Sequence, residues 1–280
     1  EDLARSAETA RGITPLPLPG SEVLLTTTVN RHSVADRNVV AMVEGADPRL
    51  KEEWVMVCAH YDHNGADGAQ VFNGADDDGS GAVALLEIAE AYALAARAGQ
   101  RPRRSVLFAA WNSEERGLLG AWAYTEKPLR PLEKTVAVLN MDMIGRNEEV
   151  PEGGGARFRG LEVQSAESNS QALNILGFSR SSDLKAEAEK ANRLFGLELK
   201  MRYDNNLSNL LRRSDNWPFL QRGVPALFFH TGLHPDYHTP YDRPEKINYA
   251  KMEKIVRLVH QLSWNLAQQD TRPKLNKAGS

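Results

Sequence analysis

Six short stretches of this chain carry carboxylates and imidazoles of the kind that bind divalent metal ions. As a set of ligands they offer two imidazoles, at least three carboxylates that can act as metal ligands, and one spare glutamate beside a ligand. A pair of divalent cations that share a carboxylate needs this mixture, and the free carboxylate can then take a proton from water. The set therefore predicts a two-metal hydrolase. The stretches are residues 59–63, 74–79, 112–115, 140–142, 213–215 and 237–240.

The first stretch contains two histidines, and only one of them is needed as a ligand. His60 follows an apolar run and precedes Asp62 by two positions. A metal-bound imidazole usually directs its other ring nitrogen to a carboxylate, which fixes the tautomer. The pairing with Asp62 favours His60 over the competing His63.

Three consecutive aspartates, Asp76 to Asp78, form the second stretch. Adjacent like charges are unfavourable unless a cation neutralises them. A solvated acidic turn at a helix N-terminus is one alternative. Calcium is another, although the alternation of an EF-hand loop is missing. If one carboxylate bridges two ions, the middle residue, Asp77, is the candidate.

Glu114 and Glu115 follow a second apolar run, and Asp142 ends a third. Two adjacent glutamates are common at the start of a helix. Within this set they can divide the work, because one can bind a metal ion while the other faces the water.

His230, His234 and His238 recur every four residues, which on a helix would place them on one face. Gly232 and Pro235 exclude such a helix, so this segment is predicted to be a loop in which one histidine need be a ligand. The chain also lacks a glycine-rich phosphate loop, a serine nucleophile elbow and a helical His-Glu-x-x-His motif.

The composition narrows the possible partners. A formal net charge of −3 over 280 residues provides no basic surface, so no nucleic-acid partner is predicted. No run approaches the roughly 20 apolar residues of a membrane span. Cys58 is the only cysteine and is predicted to be a buried small hydrophobe. The chain begins at Glu1 without a signal sequence, which we interpret as a mature or trimmed form.

The elements that must position these residues alternate between strands and helices. Strands are predicted over residues 23–29, 38–43, 53–59, 105–111, 136–139 and 224–230, and helices over 3–11, 82–98, 117–125, 182–195 and 244–268. This alternation predicts an α/β three-layer sandwich, with a mixed, mostly parallel twisted sheet between helices. The predicted organisation is an N-terminal helix and linker (1–22), a catalytic domain (23–270) and a C-terminal tail (271–280).

Every candidate falls where a sheet of this kind places its functional groups. In α/β sheets, ligands bind beyond the carboxyl ends of the strands. His60 ends one predicted strand, Glu114 follows another, Asp142 closes a third and His238 comes after a fourth. The motifs are therefore expected to meet at one edge of the sheet.

Taken in order, the motifs resemble those of the di-zinc aminopeptidases of the M28 family, of the aminopeptidase Y and leucyl aminopeptidase type. They are His-x-Asp, Gly-Ala-Asp-Asp-Asp-x-Ser-Gly, Glu-Glu-x-Gly-Leu, Asn-Met-Asp-Met, Arg-Ser-Asp and Tyr-His-Thr-Pro-x-Asp. The resemblance extends from about Asn38 to Leu266. It implies the zinc-dependent exopeptidase fold and the removal of N-terminal residues from peptides that have a free N-terminus.

The resemblance also implies a role for individual residues. One zinc ion would be held by His60, Asp77 and Asp142, and the other by Asp77, Glu115 and His238; Co²⁺ or Mn²⁺ are possible replacements. Glu114 would be the general base, Tyr237 a stabiliser of the oxyanion, and Asp62 the partner of His60. Arg213 and Asp215 are candidate substrate-binding residues. A cis peptide bond is expected between Asp77 and Asp78.

Some implications of the resemblance concern the wider protein. Relatives often carry a protease-associated domain, which this chain is too short to contain, and the family suggests an exported protein, periplasmic or secreted. Asn216 stands where family members often have histidine, which bears on substrate preference. Three alternatives stay open: a carboxypeptidase or dipeptidase with Arg212 or Arg213 as a carboxylate clamp, a single-zinc acyltransferase like glutaminyl cyclase, and a non-catalytic binding relative.

Overall fold

A computed structural model describes residues 19–276, and the chain divides into two compact units between Ala35 and Asp36. In the first unit, the described residues form neither helix nor strand, so the predicted strand over residues 23–29 is wrong. Val23, Leu24 and Leu25 are all more than three-quarters exposed. Without a neighbouring strand to pair its main chain, a Val- and Thr-rich run has no reason to stay extended as a strand. The helix predicted over residues 3–11 lies outside the described residues.

Within the described part of the second unit, seven strands form one sheet in the order β1-β5-β2-β6-β9-β7-β8. The strands are β1 (Val39–Val43), β2 (Trp54–His60), β3 (Ala66–Asp67), β4 (Gln70–Val71), β5 (Ser105–Trp111), β6 (Thr135–Met141), β7 (Ala172–Leu176), β8 (Glu198–Lys200) and β9 (Ala226–His230). Strands β3 and β4 form a separate small hairpin.

Helices cover both faces of the sheet, as predicted. They are α1 (Gly81–Arg97), α2 (Leu119–Glu126), α3 (Ser182–Asn192), α4 (Asn216–Gln221) and α5 (Tyr249–Gln268). Short 3-10 turns lie at Leu132–Lys134, Ala156–Phe158, Glu167–Asn169, Leu210–Arg212 and Pro244–Lys246, and a π-helical turn covers Ala75–Ser80. The predicted 182–195 helix is capped by Ser181, whose hydroxyl accepts the Leu184 N–H at 3.2 Å, and it ends at Asn192.

The alternation of side chains along β2 explains the two cores. Val55 and Val57 point to the face covered by α1, α3 and α5, whereas Trp54 and Met56 point to the face covered by α2 and α4. Cys58 lies fully buried in the second core, as predicted. A strand buried on both faces is a continuous apolar run, which is why β2 and β5 could be recognised in the sequence.

The direction of the strands decides where the functional residues meet. Strands β5, β2, β6 and β9 are parallel neighbours, so their carboxyl ends lie at the same edge. Strand β1 runs antiparallel at one side, and β7 and β8 run opposite to β9 at the other. The predicted mixed, mostly parallel sheet is confirmed. Strands β7 and β8 were not predicted, because Asn174 interrupts the apolar run of β7 and β8 has only 3 residues.

Among the described residues, one helical segment, Ala75–Arg97, is long and apolar enough to meet the criteria of a membrane span. Core helices of globular domains meet the same criteria. Asp76, Asp77 and Asp78 are buried at its start, and Leu85 and Ile88 in α1 pack in the first core.

Candidate metal centre

The five predicted metal ligands come together at the carboxyl edge of the sheet. His60 is the last residue of β2, and Asp142 directly follows β6. Asp77 lies in the π-helical turn before α1, Glu115 follows β5, and His238 lies in the loop after β9. The Asp142 N–H donates to the Phe229 carbonyl of β9 at 3.2 Å, which ties this carboxylate to the sheet.

One oxygen of Asp77 faces the buried side of the centre. Its Oδ1 lies 3.3 Å from His60 Nε2, and that nitrogen lies 3.8 Å from Asp142 Oδ1. The ligand atoms of these three residues all lie within 4.8 Å of one another. We name this group the inner side of the metal centre.

The other oxygen of Asp77 faces a second group, which we name the outer side. Its Oδ2 lies 2.9 Å from His238 Nε2, which in turn lies 3.1 Å from Glu115 Oε2. His63 Nδ1 lies 2.7 Å from Glu115 Oε1 and 3.8 Å from Asp77 Oδ2. Because Asp77 presents one oxygen to each side, it occupies the position that a bridging carboxylate requires.

Buried acidic side chains hold the main chain around Asp77. The Asp78 carboxylate accepts the N–H groups of His60 at 3.1 Å, Gly81 at 3.0 Å and Met143 at 3.2 Å. Asp242 Oδ2 accepts the Asp77 N–H at 3.1 Å. The peptide bond between Asp77 and Asp78 is cis, as expected from the resemblance.

Three non-glycine residues around the centre adopt left-handed backbone conformations. Ser113 has a φ of 57°, Met143 of 56° and His238 of 56°. Such conformations are uncommon outside glycine, and they persist where the surrounding structure fixes them, often at functional sites. Ser113 precedes Glu114 and Met143 follows Asp142 in the chain, and His238 is itself a candidate ligand.

Asp62 holds the loop that carries both glutamates. Its carboxylate accepts the N–H groups of Glu114 at 3.0 Å and Glu115 at 3.2 Å. His60 Nδ1 lies 3.1 Å from the Asp62 main-chain carbonyl and 3.6 Å from its carboxylate, so the carbonyl rather than the predicted carboxylate is the hydrogen-bond partner. Burial raises the pKa of Asp62, but the contacts with His60 and Glu114 bring that pKa below its usual value.

The buried carboxylates of the centre favour the binding of cations. Burial raises the pKa of Asp77, yet His238 and His60 hold that pKa well below its usual value. Burial lowers the pKa of His238, but Asp77 and Glu115 raise it to about 9. Within residues 19–276, no lysine or arginine forms a salt bridge with Asp77 or Glu115. Several buried nitrogen and oxygen atoms that could bind a metal ion also have no hydrogen-bond partner. Those atoms are His60 Nε2, both ring nitrogens of His63, Asp77 Oδ2 and His238 Nε2.

This donor set fits zinc. Imidazole nitrogens and carboxylate oxygens are zinc ligands, and their unpartnered atoms face one another here. An ion on each side of Asp77 would satisfy these atoms and offset the buried negative charge.

Glu114 lies beside the ligands but belongs to neither group. Its side chain is 9% exposed, and its Oε2 lies 4.0 Å from His60 Nε2. Burial, together with the negative charges of Asp142 and Asp215, raises the pKa of Glu114 to about 10. A carboxyl group whose pKa responds so strongly to its neighbours is a candidate for proton transfer.

A cavity of about 280 Å³ opens onto the centre. Glu114, Asp142, Arg212, Arg213 and Tyr237 are among the residues that line it. Its apolar wall consists of Leu118, Met143, Leu210, Phe228 and Leu233.

Tyr237 lies at this cavity in contact with the outer side of the centre. The Tyr237 hydroxyl accepts a hydrogen bond from Arg213 Nη2 at 3.2 Å. The Tyr237 ring stacks on His238, with 3.8 Å between the ring centroids. Burial raises the pKa of Tyr237, so this phenol stays protonated and able to donate.

The Arg-Ser-Asp stretch contributes in a way that was not predicted. Asp215 is fully buried and is absent from the cavity lining, so it is not exposed to a substrate in the cavity. Ser214 donates a hydrogen bond to Asp142 Oδ2 and accepts one from Asn140 at 2.7 Å. The serine of this stretch therefore orients a candidate ligand.

The three histidines after β9 separate as the loop prediction requires. His230 Nδ1 lies 3.0 Å from the Asp142 carbonyl, and His234 Nε2 lies 3.2 Å from Asp76 Oδ2. Only His238 of these three contacts Asp77 and Glu115. Asp78 and Asp242 were not singled out, although both belong to the motifs quoted above; motif position alone does not distinguish a ligand from a residue that holds the ligand's main chain.

Comparisons with known proteins identify the family. The model of peptidase family M28 matches residues 38–263. The chain is 28% identical over 207 residues to the probable glutamate carboxypeptidase AMP1 of Arabidopsis thaliana, covering 73% of this chain and 26% of that protein. It is 35% identical over 127 residues to mouse aminopeptidase NAALADL1, covering 44% of this chain and 16% of that protein.

The fold resembles that of BSAP, a zinc aminopeptidase from Bacillus subtilis, with a TM-score of 0.58 and 21% identity over 87% of this chain and 53% of that one. The chain thus spans about a quarter or less of the two curated relatives and about half of the solved aminopeptidase. Because the family model matches most of the chain, the chain belongs to peptidase family M28. Its fold and site are those of a zinc metallopeptidase.

Proposed function

We propose that this protein is an aminopeptidase that removes N-terminal residues from peptides, with Glu114 as its general base. The observation that carries the proposal is the position of Asp77. Each oxygen of this carboxylate faces a different group of metal-ligand atoms, and Glu114 lies beside them in the lining of a cavity.

The residues present would hold two zinc ions, one on each side of Asp77, and Co²⁺ or Mn²⁺ are possible replacements. When bound, such ions polarise a carbonyl group and lower the pKa of water. Their positive charge also favours the carboxylate form of Glu114, because it opposes the effects of burial and of the neighbouring negative charges, which raise the pKa of this group.

Glu114 would move the proton during peptide hydrolysis. As a carboxylate it accepts a proton from the attacking water, and as a carboxylic acid it returns that proton to the departing amine. The two N–H groups that donate to Asp62 fix the main chain of Glu114 and Glu115. Glu114 is therefore held beside the ligands without being one.

Tyr237 is suited to stabilise the negative charge that develops on the carbonyl oxygen. Its hydroxyl lies at the cavity and accepts a hydrogen bond from Arg213, which leaves its own proton available for donation. A donor aimed at a developing oxyanion contributes to the rate in this way.

The size and charge of the cavity support cleavage at a chain end. A volume of about 280 Å³ lies at the small end of the range of ligand sites, so it suits a terminal residue rather than an extended peptide. The apolar wall favours an apolar side chain on that residue. Glu114 lines the cavity without being a ligand, so its carboxylate would attract a substrate amine.

The decisive experiment uses a panel of aminoacyl-anilides and dipeptides, with and without a chelator. We expect hydrolysis of substrates with a free N-terminus, loss of hydrolysis with the chelator, and recovery with added zinc. No hydrolysis of any aminoacyl substrate by the zinc-loaded protein would overturn the proposal and favour a binding role. One ion per chain would favour a cyclase-like enzyme.

A carboxypeptidase is the second candidate, favoured by Arg212 and Arg213 at the cavity. Arg213 donates to Tyr237, Arg212 lies over the Trp217 ring at 5.0 Å, and neither pairs with a carboxylate among the described residues. Either guanidinium could bind a terminal carboxylate. N-acetylated peptides and C-terminally amidated peptides separate the two functions, because each blocks only one of them.

The proposal extends to the setting of the enzyme. The family resemblance supports an exported protein and a protease-associated domain outside this chain, and no binding of nucleic acid or membrane is proposed. Fractionation of the source cells tests the location.

A further inference from the structure

His63 lies at the metal centre, yet the family resemblance gives it no role. Its side chain is 11% exposed, and its Nδ1 lies 2.7 Å from Glu115 Oε1. Neither of its ring nitrogens has a hydrogen-bond partner. A metal ion bound by His63 and by the Glu115 carboxylate would give this nitrogen a partner.

The loop around His63 is built to keep its ring in this place. Gly74 has a φ of +57°, and a Cβ there would lie 2.6 Å from the His63 Cγ. The ring therefore packs directly against the main chain that leads into Asp77. On its other side, the His63 ring meets the His238 ring edge-on, with 5.6 Å between centroids and 71° between planes.

The two rings approach the same pair of carboxylates by different atoms. His63 faces Glu115 Oε1 and His238 faces Glu115 Oε2, and both face Asp77 Oδ2, at 3.8 and 2.9 Å. His63, Asp77 and Glu115 offer ligand atoms that lie within 4.8 Å of one another. The outer side thus has a second imidazole that the inner side lacks.

We propose that His63 is a metal ligand of the outer side, so that the outer ion has four protein ligands and the inner ion has three. This inference rests on the proposed two-metal centre. Four protein ligands are typical of structural zinc sites, whereas three leave a position open. The open position therefore belongs to the inner side, next to Glu114, and the outer ion mainly holds Asp77 and Glu115 in place.

X-ray absorption spectroscopy of the zinc-loaded protein tests this count directly. Three imidazoles shared by two ions give about 1.5 imidazoles per zinc, whereas the ligand set implied by the family gives about 1.0. A value near 1.0 for the unsubstituted protein would overturn the proposal. This measurement needs neither activity nor a substitution, so a variant that folds poorly does not affect it.

Zinc titration of the metal-free protein against a chromophoric chelator supplies the second test. For His63→Ala we expect one of two bound equivalents to weaken by well over about 100-fold, beyond the roughly 10- to 100-fold that the loss of an orienting contact costs, while the other changes by less than about threefold. Asn64→Ala is the matched control, because Asn64 Nδ2 donates to the same Glu115 oxygen at 3.3 Å but supplies no metal ligand. Equal weakening in both variants would mean that His63 only orients Glu115, and the proposal would be wrong.

The outcomes separate this inference from the proposed function. Two zinc ions with about 1.0 imidazole each would leave the aminopeptidase intact and refute only the role of His63. A protein that binds one ion or none would contradict the two-metal centre itself.

Discussion

The inner and outer sides of the metal centre differ in how the fold holds them. Inner-side residues His60 and Asp142 end or follow neighbouring strands and are at most 6% exposed. On the outer side, His63 and His238 lie on loops, and the His238 side chain is 32% exposed. Ligands fixed by a sheet need few supports, whereas ligands on loops need close packing and additional donors. The second imidazole and the stacked Tyr237 ring supply such support on the outer side.

The largest effect is expected where the two sides meet. Asp77→Asn replaces the shared carboxylate with a neutral amide, so we expect weaker binding of both ions and loss of activity on the order of 10⁴-fold or more. Metal content by mass spectrometry and peptide hydrolysis measure the two effects. Retention of both ions at full affinity would show that Asp77 is not shared.

Glu114→Gln is expected to lower kcat by about 10²- to 10⁴-fold and to leave both ions bound, because it removes proton transfer but no ligand. The adjacent Glu115→Gln is the control, since it should weaken the outer ion. An active Glu114→Gln enzyme would exclude this residue as the base. Loss of metal in that variant would instead make Glu114 a ligand.

Ser214→Ala is expected to have a smaller effect, which is confined to the metal affinity of the inner side. This change removes the hydrogen bond to Asp142. Loss of such an orienting contact typically costs about 10- to 100-fold in metal affinity, so the inner ion should weaken by this factor while the outer ion does not. Zinc titration separates the two equivalents. Weakening of both ions would mean that the sides are not independent.

Tyr237→Phe is expected to lower kcat by about tenfold, the value of one hydrogen bond, with little change in metal content. Arg213→Ala serves as a comparison, because it removes the donor to the Tyr237 hydroxyl while keeping the phenol. If Tyr237→Phe lowers metal affinity instead, the tyrosine acts only by stacking on His238.

The smallest effect concerns the stability of the metal-free protein. The pKa of His238 is raised to about 9 and that of Glu114 to about 10, so both protonated forms favour the folded state. For His238 this stabilisation is complete below about pH 6.5, its value in the unfolded chain, and is lost as the pH rises to about 9. We expect the melting temperature to fall by a few degrees over this interval without metal, and zinc to remove most of the decrease. A melting temperature that rises with pH in the metal-free protein would contradict these pKa shifts.

The sequence was informative where local chemistry dictates structure. Strands β2 and β5 are continuous apolar runs, and the ligands that follow them could be named because a carboxyl edge collects functional residues. It failed for residues 23–29, where strand propensity lacked a partner. It also failed for β7, whose apolar run is interrupted by Asn174, and for β8, which is too short to show a period.

By itself, the sequence determined that acids and imidazoles follow the buried strands of one α/β sheet, because apolar runs and motif residues are local properties. Only the tertiary structure decided how they divide around Asp77. The sequence offered His60 and His63 as competitors, but folding places one ring on each side of the same carboxylate. The tertiary structure also showed that Ser214, rather than the buried Asp215, contacts a candidate ligand. Contacts between residues far apart in the chain depend on how the loops pack, and no local pattern encodes that packing.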